Sequence, residues 1–196
     1  MVRKAYQVVR DNRRHQWEKK RVHASWAERA GTGATERDTG SERANLVFHA
    51  QYREIAAPPD LAEAFGVPPA TPLVERTYRT RHACESTPVS LTTSYLVRCM
   101  IAANPALLDH TNEPWPGGTQ HQLHTVGIEV GRIEERVTAR APTPEERCEL
   151  ELAAGTPVIL LRKTSYDIDE RVVDICRVTL PGDRTELVFT TPLERW

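Results

Sequence analysis

Two β-rich runs joined by a short connection constrain the fold of this chain more than any other feature. PLVERTYRTRHA ends at Ala83 and PVSLTTSYLV begins at Pro88, so only CEST separates them. Both runs are rich in β-branched and aromatic residues, and a connection of this length suits an antiparallel hairpin. We therefore predict a hairpin from Leu73 to Val97 within an antiparallel sheet.

The rest of the chain predicts strands separated by short helices. Strands are expected at LVFHAQYREI, IEVGRIEERVTARAP, VILLRKTSYDI, RVVDICRVTL and TELVFTTPLERW. Helices are expected at PPDLAEAFGV, around Met100 to Leu108, from Thr119 to Gly127, and at TPEERCELELAAGTP, which begins with a Thr143–Glu146 capping box. No βα unit repeats, so the predicted class is α+β, with a mostly antiparallel sheet and short helices.

Charge is distributed unevenly along the chain. Residues 1–30 carry nine Lys or Arg and three Asp or Glu, while the remainder carries 17 and 24, for a net charge of -1. A net charge this close to zero gives the chain as a whole no general attraction to nucleic acid or membranes. The basic block predicts a short helix, and the Gly, Thr and Ser-rich stretch from Gly31 to Arg43 predicts a linker or loop. We divide the chain into a basic helix and linker at 1–43 and a folded domain at 44–196.

Several protein classes find no support in the sequence. The longest apolar run, PVILL, is far too short to span a bilayer, and the N-terminus lacks the apolar stretch of a signal peptide, which predicts a cytoplasmic protein without a membrane partner. The four cysteines form no CxxC pair, so structural thiols are favoured over zinc or redox sites. No GxSxG, HExxH, Walker or dinucleotide motif occurs. We predict neither a cofactor nor an enzymatic activity.

The predicted hairpin contains a candidate anion site. Arg79 and Arg81 lie two apart in a strand, so both side chains leave the same face and could bind a carboxylate or phosphate together. On the next strand Ser90, Thr92 and Ser94 could present hydroxyls to the same pocket. A solvated strand face and ordinary cross-strand hydroxyl pairs are the alternatives.

The glycine turn before the predicted Thr119 helix is a second candidate. Gly118 and Thr119 place free backbone N–H groups at the positive end of a helix, where an anion is favoured, although Thr119 alone would suffice as a cap. His121 and His124 have an allowed metal spacing but no third ligand nearby in sequence, so we predict no metal site.

Asp174 interrupts an apolar strand, VVDIC. Its carboxylate must either face solvent or pair across the sheet with an arginine. The second alternative would link Asp174 to Arg79 or Arg81.

Four segments resemble, in this order, the UTRA domain, which is the C-terminal sensor of HutC-type GntR-family transcriptional regulators. They are LAEAFGVPPATPLVERTYRTR, TSYLV, GGTQHQLHTVGIEV and, above all, LPGDRTELVF. The resemblance implies the chorismate lyase-like α+β fold and a small, anionic effector. By analogy, Arg79 or Arg81, Gly118 with Thr119, and Asp174 would hold that effector. Many relatives have Glu at the position of Asp174 and an aromatic hydroxyl at that of Leu180, which implies fewer polar effector contacts here.

The resemblance also implies a role in transcription regulation. Relatives begin with a winged helix-turn-helix, whereas we identify no recognition helix before Leu46, and NRRHQWEKKRV resembles the interdomain linker. We therefore expect effector sensing with the DNA-binding domain truncated or absent, in a homodimer or a mixed dimer with full-length regulators, and DNA binding only where a winged helix-turn-helix is supplied.

Two other functions are also compatible with the sequence. One is a small chorismate lyase-like enzyme, in which Asp174 or His82 would act as acid or base. The other is nonspecific DNA binding by the basic N-terminal residues, which would weaken steeply with salt.

Overall fold

The computed structural model describes residues 7–194. Its strands in chain order are β1 (Val8–Asp11), β2 (Leu46–Ala56), β3 (Pro72–His82), β4 (Pro88–Val97), β5 (Val130–Arg140), β6 (Val158–Asp167), β7 (Val172–Pro181) and β8 (Thr185–Val188). Six of them form one sheet in the order β2-β3-β4-β7-β6-β5, with every neighbouring pair antiparallel. The other two, β1 and β8, pair in parallel as a separate two-stranded sheet.

Within residues 7–194, seven short helices connect or cover these strands. They are α1 (Arg14–Lys20), α2 (Trp26–Gly31), α3 (Ala34–Thr39), α4 (Pro59–Phe65), α5 (Arg98–Ile101), α6 (Gly118–His124) and α7 (Pro144–Glu149). Three 3-10 turns lie at Arg43–Asn45, Pro105–Leu108 and His110–Asn112. No helix within residues 7–194 has the length and apolarity needed to cross a membrane.

Local sequence signals explain where two of these helices begin and end. Pro59 occupies the first turn of α4, and Gly66 ends that helix with a φ of 66°, a left-handed conformation that glycine adopts without strain. At α7 the Thr143 hydroxyl accepts a hydrogen bond from the Glu146 N–H, and the Glu146 carboxylate accepts one from the Thr143 N–H. The predicted capping box is therefore confirmed.

The large sheet carries helices on both faces. Leu73 of β3 packs against Phe65 of α4 on the first face, where α7 also packs. Its neighbour Val74 points to the second face and packs against Ile101 of α5 and Leu123 of α6. Adjacent residues of a strand point to opposite faces, so both members of this pair are buried. We call these the α4 face and the α6 face.

The α+β class and the antiparallel hairpin are confirmed. Leu73 lies opposite Val97 as predicted, and the β3–β4 register shifts only at a bulge between Thr80 and Arg81. All the helices predicted after residue 44 are present, although most are shorter than expected. The last predicted strand reduces to β8, and its two final residues lie outside the described range.

The prediction for the first 43 residues needs correction. The stretch from Gly31 to Arg43 is not an open loop, because it contains α3, on which Glu36 and Asp38 are buried. The basic block forms β1 as well as the predicted helix, and its first six residues lie outside the described range. These elements are held by contacts with distant residues, including β8, which local composition does not reveal. We call residues 8–45 the N-terminal arm; the domain boundary at 43/44 stays a prediction.

We expect Leu73→Ala to destabilise the fold strongly. Leu73 is 0% exposed, and removing such a side chain costs roughly 2–5 kcal/mol through lost burial and the cavity left behind. The measurement is the free energy of unfolding in urea. Leu193→Ala is the matched control, since Leu193 is 88% exposed and its loss should change that free energy by no more than about 0.5 kcal/mol. Equal effects of the two substitutions would contradict the position of the core.

Candidate functional site

A cavity of about 230 Å³ lies between the α6 face of the sheet and the N-terminal arm. Residues of α1 and α3 form one wall, and the segment from Glu113 to Gln122 forms another. The sheet forms the floor with mostly polar side chains: Tyr78, Thr80, Ser90, Thr92, Ser94, Lys163, Cys176 and Val178. Binding pockets commonly measure roughly 300–1,000 Å³, so this cavity has room for a small, polar molecule.

A buried ionic network lies under the floor. The Arg76 guanidinium donates from Nη1 to Gln122 Oε1 at 2.7 Å and from Nη2 to Ser94 Oγ at 2.9 Å. The Ser94 hydroxyl donates to Asp174 Oδ1 at 2.7 Å, and Lys163 Nζ lies 3.2 Å from Asp174 Oδ2. Arg76 and Asp174 are both 0% exposed, and Arg76 Nη2 is 3.9 Å from Asp174 Oδ1. The network ties β3, β4, β6, β7 and α6 together.

The three charged groups of this network are all ionised. Burial by itself raises the pKa of Asp174, but Lys163 and Arg76 outweigh it and hold the pKa below its ordinary value. Burial likewise lowers the pKa of Lys163, but Asp174, together with Cys176 and Glu18, outweighs burial and raises that pKa above its ordinary value. Two cations and one anion leave an excess positive charge, and Lys163 carries it to the cavity surface.

Glu113 holds the rim of the cavity together. Its Oε1 accepts hydrogen bonds from the Tyr52 hydroxyl, the Tyr78 hydroxyl at 3.1 Å and the Gln122 amide at 2.9 Å. Its Oε2 accepts from the Trp115 N–H at 2.7 Å. Burial raises the pKa of Tyr52 to about 12 and that of Tyr78 well above its ordinary value, so both phenols stay protonated and donate. The polar groups of the rim are thus hydrogen-bonded to one another.

The glycine turn brings the arm against α6. Gly117 and Gly118 have φ values of 99° and 65°, in the left-handed region that favours glycine. A Cβ at Gly118 would lie 3.1 Å from Glu18 Oε1, and one at Gly117 would lie 2.7 Å from Arg29 Cδ. Glycine is therefore required here by conformation and, at Gly117, by close approach as well.

The arm adds a second charged cluster on the opposite side of the cavity. Arg14 Nη1 donates to Asp38 Oδ2 at 2.5 Å, while Arg10 Nη1 is 3.8 Å from the same oxygen. Arg10 Nη2 also lies 3.6 Å from Glu135 Oε1, which is 3.0 Å from His15 Nε2. Burial raises the Glu135 pKa, but His15 and the two arginines outweigh it and lower that pKa to about 2. Arg10, Arg14 and His15 all line the cavity.

Three of the predicted site residues line the cavity. They are Ser90 on β4, and Gly118 and Thr119 at the start of α6. Asp174 lies beneath the floor and reaches the cavity through Ser94 and Lys163. The structure thus brings these four together, and their binding of a ligand stays a prediction.

The placement of the two predicted arginines is corrected. Thr80 lies opposite Ser90, so the cavity receives the even-numbered residues of β3. Arg79 projects to the α4 face, where its Nε donates to Glu149 of α7 at 2.7 Å. Arg81 follows the bulge and donates to the Glu85 carbonyl in the hairpin turn at 2.8 Å. Neither side chain lines the cavity, because a shift of one residue reverses the face of a strand side chain.

Asp174 pairs with different cations from those predicted. Its partners are Arg76 and Lys163, not Arg79 or Arg81. The sequence could have pointed to Arg76, because Thr80, Tyr78 and Arg76 are alternate residues of β3 and therefore share a face. No local sequence pattern marks Lys163, Glu113 or the arm residues as members of the site, because only the folded chain brings them to the cavity.

No group of three or more His, Cys, Asp or Glu side chains within residues 7–194 is arranged to hold a metal ion. His121 Nδ1 accepts a hydrogen bond from Trp115 Nε1 at 2.9 Å, so this nitrogen is already engaged. The His124 ring packs edge-on against the ring of His23, with centroids 4.9 Å apart. These contacts give both histidines of α6 packing roles, and neither is among the residues that line the cavity.

Comparisons with known proteins agree with this architecture. The sequence profile of the UTRA domain matches residues 49–186. An uncharacterized HTH-type transcriptional regulator of Rhizobium meliloti (strain 1021) is 28% identical over 161 residues, which cover 82% of this chain and 61% of the relative. The chain therefore spans about three fifths of that relative's length.

Solved structures share the fold at low sequence identity. A putative GntR-family transcriptional regulator superposes with a TM-score of 0.69 at 19% identity, covering 82% of this chain and 64% of its own. PhnF from Mycobacterium smegmatis gives 0.67 at 19% identity, covering 96% and 73%. The C-terminal domain of the histidine utilization repressor from Pseudomonas syringae pv. tomato str. DC3000 gives 0.59 at 19% identity, covering 77% and 98%.

We expect the buried network to behave as a coupled unit. Arg76→Met should cost roughly 3–5 kcal/mol of unfolding free energy, since it deprives Asp174 of a cation and two polar side chains of their donor. Asp174→Asn should also destabilise, and the double variant should lose less than the sum. Urea unfolding of the four proteins gives the coupling free energy.

Arg79→Met is the matched control for this cycle. It removes an arginine from the same strand, but one whose partner Glu149 is on the surface, so the cost should not exceed about 1 kcal/mol. Strict additivity of Arg76→Met and Asp174→Asn would show that the network does not act as a unit.

We expect His121 to make the fold less stable in mild acid. Burial, helped by Arg29 and His124, lowers its pKa to about 4 from an ordinary value of 6.5. Between these values the unfolded chain binds a proton that the folded chain does not, so stability falls as pH decreases from 6.5 towards 4. His121→Gln should reduce the loss of melting temperature between pH 7 and pH 5. His49→Gln, at an exposed histidine of β2, is the control, and an unchanged pH dependence in His121→Gln would refute the assignment.

Proposed function

We propose that this chain, which belongs to the UTRA domain family, senses a small-molecule effector in GntR-family transcriptional regulation. The observation that carries the proposal is the cavity between the α6 face and the arm, with its hydroxyl-lined floor above an ionised network. A concave site with a few convergent polar groups is the usual form of a small-molecule site. The HutC type is proposed on the sequence resemblance.

The effector is proposed to be anionic. Lys163 is the cation that reaches the floor from the buried network, and Asp174 beneath it leaves that network with one excess positive charge. Ser90 and Thr92 add hydroxyl groups, and Gly118 and Thr119 line the rim. Phosphorylated sugars, amino acid derivatives and small organic acids combine an anionic group with polar groups that this floor could bind.

Regulation of DNA binding is proposed for the assembled protein. The curated relative is an HTH-type regulator, so we place the output in a winged helix-turn-helix, on the same or another polypeptide, that responds when the effector favours one arrangement of a dimer. Both a homodimer and a mixed dimer with full-length regulators fit this scheme. A protein with this role would act in the cytoplasm.

The enzymatic alternative has less support. Asp174 is fully buried and its carboxylate is engaged by Ser94 and Lys163, while the buried His82 is not among the residues that line the cavity. Neither residue presents an acid or base to a bound molecule. We therefore propose a binding protein and not a lyase.

Nonspecific DNA binding by the arm is also less supported. Arg10 and Arg14 face Asp38 at the cavity wall, and Lys19 Nζ lies 2.9 Å from Glu129 Oε1. Much of the positive charge that the sequence concentrates here is thus compensated within the fold.

A thermal-shift screen tests the proposed function. Phosphorylated sugars, amino acid derivatives and small acids would be added to the purified chain, since a ligand at 100 times its Kd adds about 2.7 kcal/mol of stability. We expect Lys163→Met to weaken binding of the active compound by at least about tenfold, and Thr92→Val to weaken it less. Arg79→Met, outside the cavity, should bind normally. Unaltered affinity in Lys163→Met would remove the proposed floor from the site.

A further inference from the structure

The arm contributes two arginines to the cavity from outside the segment that matches the UTRA profile. Arg10 lies on β1 and Arg14 at the start of α1, and both line the cavity, whereas the match begins at residue 49. Their side chains are 14% and 11% exposed. Two nearly buried guanidinium groups at a cavity wall form a strong site for an oxyanion.

That position is occupied by a carboxylate of the arm itself. Asp38 of α3 accepts a hydrogen bond from Arg14 Nη1 at 2.5 Å and lies 3.8 Å from Arg10 Nη1. Arg14 Nε is also buried and has no hydrogen-bond partner among residues 7–194. Arg14 therefore retains a donor that Asp38 does not use, while Arg10 Nη2 lies 3.6 Å from Glu135 Oε1.

Burial opposes the ionisation of Asp38. Burial raises its pKa, and Arg14 and Arg10 do not fully offset that effect. A carboxylate in this state recovers hydration when it leaves the protein interior. An incoming anion would therefore compete with a carboxylate that regains hydration when it moves into water.

We propose that Arg10 and Arg14 form an anion subsite of the cavity, with Asp38 standing in for the carboxylate or phosphate group of the effector. This inference rests on the proposed function and adds to it a subsite that the arm supplies. The ligand class is a small oxyanion, which takes the place of the Asp38 carboxylate on the two guanidinium groups.

Displacement of Asp38 would loosen α3. This helix is six residues long, and its other contacts to the fold include Glu36 with Arg43 at 3.2 Å and Arg37 over the Trp17 ring at 5.1 Å. A helix of that length is not stable by itself in water. Occupation of the subsite thus changes the order of the arm, which precedes the UTRA segment in the chain.

The test measures binding of inorganic phosphate and of acetate in separate titrations at constant ionic strength. In the unaltered chain Asp38 competes with the added anion, so the apparent Kd is the intrinsic Kd divided by the fraction of time that the subsite is free of Asp38. Asp38→Asn should lower the Kd for at least one of the two anions by about tenfold or more. Arg14→Met in the Asp38→Asn background should abolish that gain. If Asp38→Asn binds only phosphate or only acetate more tightly, that anion identifies the oxyanion class that the subsite takes.

Glu149→Gln is the matched control. It also releases an arginine from a carboxylate, but that arginine is Arg79, which lies outside the cavity. If Glu149→Gln gains phosphate or acetate affinity as Asp38→Asn does, or if Asp38→Asn gains none, the subsite is refuted.

Hydrogen exchange of the unaltered chain provides a measurement that does not depend on the fold of any variant. Phosphate or acetate should speed exchange in residues 34–39 relative to chloride at equal ionic strength, while exchange in β3 and β4 stays the same. No change in residues 34–39 at up to 100 mM of either anion, an order-of-magnitude bound for weak subsites, would overturn the proposal.

The outcome separates this inference from the proposed function. An effector found by thermal shift whose affinity is insensitive to Arg14→Met would refute the subsite and leave effector sensing intact. Anion binding that needs Arg14, without any organic compound active in the screen, would support the subsite and weaken the proposed function.

Discussion

The ionic network beneath the cavity floor connects four strands of the large sheet to α6 through a few side-chain contacts. Arg76 and Asp174 are fully buried, and isolated charges at such depth would be very costly. They are tolerated because Ser94, Gln122 and Lys163 satisfy them from three further elements. These directional contacts add to the backbone pairing of β3, β4, β7 and β6 and fix α6 against the sheet, while the apolar clusters supply nondirectional stabilisation.

The same arrangement couples the fold to its proposed ligand. Lys163 belongs both to the network and to the cavity surface, so a molecule that binds it acts on residues that hold the sheet together. The arm places a second group of cations on the other side of the cavity, already compensated by Asp38 and Glu135. A bound anion would thus contact both the sheet and the arm. An effector acts as a switch when it binds one arrangement of such elements more tightly than another.

Alternation within the hairpin shows how far strand patterns can lead. The PVSLTTSYLV run correctly predicted a strand whose hydroxyl side chains share a face, and these residues do line the cavity. Arg79 and Arg81 were assigned to that face as well, although the pairing of Thr80 with Ser90 sends Arg79 to the other side. The sequence pattern of one strand does not specify its register against the next strand. A shift of one residue in that register moves every side chain of the strand to the other face.

The class of the fold, the hairpin, the helix caps and the family resemblance follow from the sequence alone, because they depend on local periodicity, turn chemistry and the order of short segments. Only the tertiary structure decided which arginine pairs with Asp174, that Lys163 and Glu113 belong to the site, and that the arm closes the cavity with α1 and α3. Most of these features join residues far apart in the sequence: Arg14 and Asp38 are 24 positions apart, and Ser94 and Asp174 are 80 apart. Their contacts result from chain packing and burial, which leave no mark on the local sequence.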